Sequence, residues 1–333
     1  MSESTRQPEL AAHLCTPCKR AEQPLFQGVP HKIFLTGGTG FFGRSILSCL
    51  RRGLLPEGTE FVILSRNPEK FLAAYPEFAG LPGVRHIAGD VRCFVFPDEE
   101  FDAVIHAATP AVTTLVPGEM RSIVVEGTRR AAEFARFCGA KRLLLTSSGA
   151  VYGVQPPELA NIPEDHPCRP VTEYGVAKLE AEKICVDSGV PALIARCFAF
   201  AGPYLDRNIH FAFGNFLRDA LAGQPIVIRG DGTPLRSYLY ADDLVTWLFK
   251  ILEKGTPGRP VNVGSPTAVS IAGLAEIIRD VLQAPGEVVV MEKPVPGRLP
   301  ARYVPSVERA KNELGLAVTI SLADAIRLSA ARK

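Results

Sequence analysis

KIFLTGGTGFFGRSILSCLRR, residues 32 to 52, is the stretch that decides the fold. Lys32 to Thr36 is an apolar run of strand length. Gly37, Gly40 and Gly43 come next at G-x-x-G-x-x-G spacing, and Phe42, Ile46, Leu47 and Leu50 then recur at helical spacing. The reading is strand, tight glycine turn, helix. Such a turn aims backbone N–H groups and the positive end of a helix at one point, and the missing Cβ atoms let a pyrophosphate come close. The chemistry it suggests is dinucleotide binding. A glycine triplet also arises for packing alone, so its meaning rests on the strands and polar residues later in the chain.

A second strand is expected at Glu60 to Leu64, with Ser65-Arg66 at its end. An acidic residue about 20 residues past the glycines would bind a ribose 2′-hydroxyl, whereas a hydroxyl and a guanidinium suit a 2′-phosphate. NADP is therefore favoured over NAD. Further strands are expected at Val84 to Ala88, ending in Gly89-Asp90, at Asp102 to His106, followed by Ala107-Ala108-Thr109, and at Arg142 to Thr146, followed by Ser147-Ser148. Asp90 is a candidate partner for an adenine amine or a simple turn former. Small residues at 107 and 108 leave room for a flat ligand. Pro117 to Cys138 has the pattern of a long amphipathic helix, part of whose apolar face is a candidate contact with a second subunit. Strands and helices alternating in this way imply right-handed crossovers and a parallel sheet, with ligands at the carboxyl ends of the strands.

Composition narrows the partner. The 333 residues are 47% hydrophobic and 22% charged, an ordinary balance for a globular chain with a sizeable core. Thirty-seven Lys and Arg against 35 Asp and Glu leave a net charge of +2, without a block of like charge that would suit nucleic acid or an acidic membrane. The longest apolar runs are strand-sized and no apolar leader is evident, so a cytoplasmic location and no membrane association are expected. Eight cysteines without framework spacing fit reduced thiols. The pair Cys15-x-x-Cys18 lacks a second half for zinc, so no metal is expected. Residues 1–30 read as a loosely ordered extension.

Tyr174 and Lys178 lie four apart in an expected helix, Thr172 to Cys185, and so share one face. A cation near a phenol lowers its pKa, which would let Tyr174 exchange a proton near neutral pH, with Ser148 bonded to the same substrate oxygen. Beside a nicotinamide that is alcohol-to-ketone chemistry. Alone, the pair is better explained by a surface Tyr and a solvated Lys.

Taken in order, Thr36-Gly-Gly-Thr-Gly-Phe-Phe-Gly43, Gly89-Asp90, His106-Ala-Ala108, Ser147-Ser-Gly-Ala-Val-Tyr-Gly153 and Tyr174-x-x-x-Lys178 resemble the extended short-chain dehydrogenase/reductase family, the NAD(P)-dependent nucleotide-sugar epimerases and dehydratases. The resemblance implies an α/β fold, a Rossmann-type doubly wound parallel sheet with a smaller C-terminal α/β substrate-binding domain. It implies Ser148 as the catalytic hydroxyl, Tyr174 as general acid/base and Lys178 as holder of the nicotinamide ribose. Cofactor contacts would come from Gly37, Gly40, Phe41, Phe42, Gly43, Ser65, Arg66, Asp90, Val91, Ala107, Ala108 and Thr109 with Tyr174 and Lys178. Asn215-Phe216-Leu217, Gly230-Asp-Gly-Thr-Pro-Leu-Arg236, Tyr240-Ala-Asp-Asp243 and Arg302-Tyr303 resemble the family's segments around the sugar nucleotide. By that likeness Asn215, Arg236 and Arg302 would grip its diphosphate, and a homodimer would form through the helices expected at 117–138 and 172–185.

The expected division is 1–30 extension, 31–197 cofactor domain and 198–333 mainly substrate-binding domain, with segments around 233–264 returning to the first. Three departures stand out. Gly149-Ala150 replaces the Asp-Glu pair that the family's sugar dehydratases use for elimination, and decarboxylases keep an acidic residue there. Arg196-Cys-Phe-Ala199 replaces R-x-x-N, and Glu126 replaces a frequent Asn. Without the carboxylates, water loss has no acid and base. The expectation is therefore hydride transfer at sugar C4, as a 4-epimerase or 4-ketoreductase. The alternatives are a 4,6-dehydratase lacking its pair or a non-catalytic NADP-binding regulator. The insert Tyr204 to Phe213, with Asp206, Arg207, Asn208 and His210, is a candidate hexose contact or an ordinary surface loop.

Overall fold

The computed structural model describes residues 32–109, 118–209 and 211–331. The extension 1–30 with its Cys15 and Cys18, Pro117 and His210 lie outside the described residues. Strand β1, Lys32–Thr36, alternates its side chains: Ile33 and Leu35 pack to one side and Phe34 to the other, all fully buried. A strand apolar on both faces needs cover on both. Helices α1 (Phe41–Arg51) and α6 (Ala241–Lys254) cover the first side, and α3 (Glu119–Phe137) and α4 (Glu173–Val186) cover the second.

The sheet has seven strands, all parallel. Beyond β1 they are β2 (Glu60–Ser65), β3 (Val84–Ala88), β4 (Ala103–His106), β5 (Arg142–Ser148), β6 (Ala192–Cys197) and an edge strand, Val261–Val263. From one edge the order is β3, β2, β1, β4, β5, β6, edge strand. The order reverses direction between β1 and β4, which opens a crevice beyond their carboxyl ends, the doubly wound arrangement expected from the sequence. Strand β5 runs two residues past the expected Thr146, so Ser147 and Ser148 are in register with Arg196 and Cys197 of β6.

Helices α2 (Pro68–Ala74), α5 (Ala212–Leu221), α7 (Ile271–Leu282), α8 (Glu308–Leu314) and α9 (Leu322–Ala330) complete the described set. Three of them, α5, α7 and α9, close a separate core through Phe213, Leu217, Leu274, Ile278 and Ile326. A small three-stranded sheet pairs Leu235–Arg236 with Val269–Ser270 and with Arg302–Tyr303. Among the described residues no helix is long and apolar enough to cross a membrane.

Candidate active site

The glycine turn is explained in two of its three positions by the protein itself. At Gly37, with φ +75°, a Cβ would stand 2.5 Å from the Ala107 carbonyl carbon, and at Gly43 it would stand 2.2 Å from the Gly38 Cα. These two residues let the turn seat against the end of β4 and the helix against the turn. Gly40 is different: its Cβ would meet nothing closer than the Gly37 oxygen at 3.3 Å. It caps α1 without a side-chain bond to the first-turn N–H groups, and no acidic residue lies in that turn. Those donors and an open approach make a cradle that fits a pyrophosphate. Phe41 and Phe42 turn their rings onto Phe200, so they present backbone rather than side chain to that cradle.

At the end of β2 the Ser65 hydroxyl is buried without a hydrogen-bond partner, and the Arg66 beside it is exposed. Asp90 is turned onto Arg92, which donates to both carboxylate oxygens from Nε (2.8 Å) and Nη2 (2.9 Å). That bond, with the nearby Arg66 charge, holds the Asp90 carboxyl below the usual carboxylate range. Oδ1 takes two bonds from Arg92, its Nε and backbone N–H, and Oδ2 takes one and keeps a lone pair. Val91 packs against Gly127 of α3, where a Cβ would lie 2.9 Å from a Val91 methyl.

Under the turn sits His106. The Ala108 N–H donates to Thr36 Oγ1, which lies 2.7 Å from His106 Nδ1. On the far side Thr128 donates to the Val124 carbonyl, so its oxygen accepts from His106 Nε2–H at 3.1 Å. Nε2 therefore carries a proton, and in the neutral ring Nδ1 accepts from the Thr36 hydroxyl. Burial and the neighbouring Lys178 push its pKa down to about 3.

Lys178 is buried, and its Nζ donates to Thr109 Oγ1 at 2.7 Å and to the Thr146 carbonyl at 2.8 Å. Desolvation lowers it to about 8. Tyr174, one turn earlier on α4, has its ring centroid 5.9 Å from that nitrogen. The expected lowering of the phenol pKa by Lys178 is not what the structure gives. Burial dominates and raises Tyr174, Tyr303 adds to the rise, and a hydrogen bond with Ser148 works against it. Ser148, at the end of β5, accepts from the Ala150 N–H at 3.1 Å. Serine, phenol and ammonium thus meet at the carboxyl end of the sheet.

The same face of α4 carries Glu182, a further turn along. It binds the buried Arg196 of β6 through both oxygens, at 3.0 and 2.8 Å, and accepts from the Ser147 hydroxyl. Arg196 also reaches the Tyr152 hydroxyl at 3.1 Å, which donates to Asn262 of the edge strand at 2.8 Å. This network ties α4 to three strands directly beneath the site.

The predicted substrate residues separate. Arg236 and Tyr303 are register partners in the small sheet, with the guanidinium 5.8 Å from the ring centroid. Arg302, next in the same strand, projects to the opposite face, where it approaches the Ala160 carbonyl at 3.5 Å. Asn215 on α5 keeps a buried side-chain oxygen without a partner. In the 204–213 insert, Tyr204 packs on Phe78, and Arg207 donates to the Ser329 carbonyl of α9. Neither Tyr303 nor Glu182 is singled out by the sequence as a site residue. The i, i+4, i+8 spacing of Tyr174, Lys178 and Glu182 is the signal that points to the second of them.

The chain belongs to the NAD dependent epimerase/dehydratase family, whose profile matches residues 33–264. UDP-glucuronic acid decarboxylase 6 of Arabidopsis thaliana is 27% identical, over 89% of this chain and 87% of that protein. Two solved structures share the fold. UDP-glucuronic acid 4-epimerase from Bacillus cereus, in complex with UDP-glucuronic acid and NAD, has a TM-score of 0.76 at 23% identity, covering 90% of this chain and 98% of that one. A double mutant of the dTDP-glucose 4,6-dehydratase DesIV from Streptomyces venezuelae, with NAD bound, has a TM-score of 0.75 at 23% identity, covering 90% and 95%.

Proposed function

We propose that this enzyme acts on a nucleotide-diphosphate sugar by reversible hydride transfer at the sugar C4, as a 4-epimerase or a 4-ketoreductase. The observation that carries the reading is the meeting of Ser148, Tyr174 and Lys178 above a turn, Gly149-Ala150, that has no carboxylate. A nicotinamide held at this site would serve as the hydride acceptor or donor. Tyr174, a protonated phenol at neutral pH, gives or takes the proton of the C4 oxygen, with Ser148 bonded to that oxygen. Lys178 has two N–H bonds committed to Thr109 and Thr146 and a third for a cofactor ribose hydroxyl. Arg236 and Asn215 hold the diphosphate, the first by charge-assisted bonds. Arg302, on the opposite face of its strand beside the Ala160 carbonyl, is not grouped with them.

The reading separates from the chemistry of the decarboxylase and dehydratase relatives at one place. Loss of water or of carbon dioxide next to a C4 ketone needs a group to move a proton at C5 or C6. Neither Gly149 nor Ala150 supplies one. Mass spectrometry of the nucleotides released on denaturation tests the cofactor's part. Retained NAD(P)⁺ is expected of an epimerase, which regenerates it each cycle. A site that NADPH fills and leaves readily is expected of a ketoreductase. A protein that binds neither nucleotide loses this reading altogether.

NADP is the favoured cofactor. The orphaned Ser65 hydroxyl and the exposed Arg66 supply a donor and a cation where a 2′-phosphate would sit. Arg66→Ala is expected to weaken NADP by roughly 10- to 100-fold, the worth of one charge-assisted bond, and NAD by less than about 2-fold. Equal losses in a fluorescence titration of the two nucleotides would make Arg66 a bystander.

In this reading 31–197 binds the cofactor and 198–333 mainly the sugar nucleotide; the separate core of α5, α7 and α9 and the return of α6 and the edge strand, within 233–264, to the central sheet support it, although Val307, Ala310 and Leu314 also pack on the cofactor side. A homodimer forms through α3 and α4, where Phe137, Val176 and Val186 are 58%, 45% and 49% exposed. Val176→Glu with Val186→Lys is expected to leave a monomer by light scattering. A dimer of unchanged affinity in that variant would place the interface elsewhere.

A further inference from the structure

Ser148 has a second phenol beside it. The Tyr303 hydroxyl lies 3.4 Å from Ser148 Oγ and donates to the Cys197 carbonyl, also at 3.4 Å. A phenol has one proton, and a carbonyl can only accept. With the Tyr303 proton on the Cys197 carbonyl, the serine's proton is the one that can bridge to Tyr303, and Ser148 Oγ also accepts from the Ala150 N–H. The serine's one proton is thus shared between two phenols, Tyr303 and Tyr174.

What places Tyr303 there is tied to the departures in the sequence. Its ring packs on Phe198, with centroids 4.6 Å apart, and Phe198 stands in the altered Arg196-Cys-Phe-Ala199 segment. A Cβ on Gly149 would stand 2.6 Å from the Phe198 Cζ. Phe198 therefore fills the space that a side chain at position 149 would enter, and Tyr303 rests on it. With glycine at 149, Phe198 and Tyr303 pack as a tilted pair whose hydroxyl reaches Ser148.

We propose that Tyr303 is a positioning residue of the catalytic centre, holding the Ser148 hydroxyl proton between two phenols until the sugar oxygen takes it over. The inference rests on the function proposed above. Only hydrogen bonds change partners. Tyr303 touches Ser148 and acts through it on Tyr174, whose other neighbours are Lys178 on its own helix and Cys197 at the end of β6. Removing the Tyr303 hydroxyl frees the Ser148 proton for Tyr174 and removes a neighbour that disfavours its phenolate.

Tyr303→Phe keeps the ring on Phe198 and so keeps the packing. With UDP-glucose as probe and NAD⁺ or NADP⁺ present, kcat is expected to fall roughly 10- to 100-fold, with KM for the sugar nucleotide within about 3-fold. In an ultraviolet difference titration of tyrosinate, with Tyr174→Phe as the blank, Tyr174 ionises at lower pH than in the wild type. Gly149→Ala, which displaces Phe198, reproduces both changes, and the double variant is no worse than the poorer single one. Wild-type kcat with an unmoved Tyr174 titration in Tyr303→Phe overturns the proposal, as do additive losses in the double variant. A wild-type protein inert toward UDP-glucose, UDP-glucuronic acid and dTDP-glucose would count against the proposed function instead, and the titration would still decide the part played by Tyr303.

Discussion

Replacing Tyr174 by phenylalanine lowers turnover by roughly 10²- to 10⁴-fold and leaves the fold and the cofactor affinity in place. The ring is what packs at the start of α4, so its loss of one oxygen costs the core little. That oxygen is the group placed to exchange a proton with the C4 oxygen, and the Ser148 hydroxyl beside it favours its ionised form. Because burial raises the phenol above its ordinary value, the proton is present throughout the neutral range and is available for donation. The alkaline side of the wild-type pH profile belongs to Lys178. Its pKa is lowered to about 8, so the ammonium is present below that pH and is lost as pH rises through it. Near-normal turnover in Tyr174→Phe, measured with any substrate the wild type accepts, removes Tyr174 from the chemistry.

Glu182→Ala is expected to destabilise the protein by about 3–5 kcal/mol, the cost of leaving a buried charge without its partner. Glu182 and Arg196 are each 8% exposed in their side chains, and the substitution strands the guanidinium among α4, β5 and β6. Glu182→Gln is milder, since an amide keeps part of the hydrogen bonding. It carries a second effect: the Glu182 charge helps keep Lys178 protonated, so its removal moves the alkaline limb of the profile to lower pH. Urea unfolding of both variants measures the first effect. A midpoint for Glu182→Ala equal to the wild type's would mean that the pair holds nothing together.

The cofactor half of the molecule is legible in the sequence because its constraints are short-range. A glycine triplet after a strand fixes a turn within a few residues, and Gly37 and Gly43 are sterically obligatory once the turn exists. The parallel sheet is implied by the alternation of strands with helices. The features that escape the sequence depend on distant partners. Tyr303 meets Ser148 across 155 residues, through two-residue strands too short to carry a pattern. The same strand parity sends Arg302 away from Arg236, which a motif read along the chain does not reveal. Asp90 is legible as a strand end but not as a carboxylate already held by Arg92. The phenol pKa escapes for a related reason: spacing identifies Lys178 as a neighbour, whereas desolvation sums over every group that buries Tyr174.

The proposed function confines the chemistry of this site to C4, because nothing at 149 or 150 can move a proton at C5. Incubation with UDP-glucose and with UDP-glucuronic acid in D₂O, with NAD(P)⁺ present and the products read by proton NMR, tests that confinement directly. The expected products are sugars changed at C4 alone, with hydrogen retained at C5. Deuterium at C5, or a product that has lost water or carbon dioxide, would contradict it.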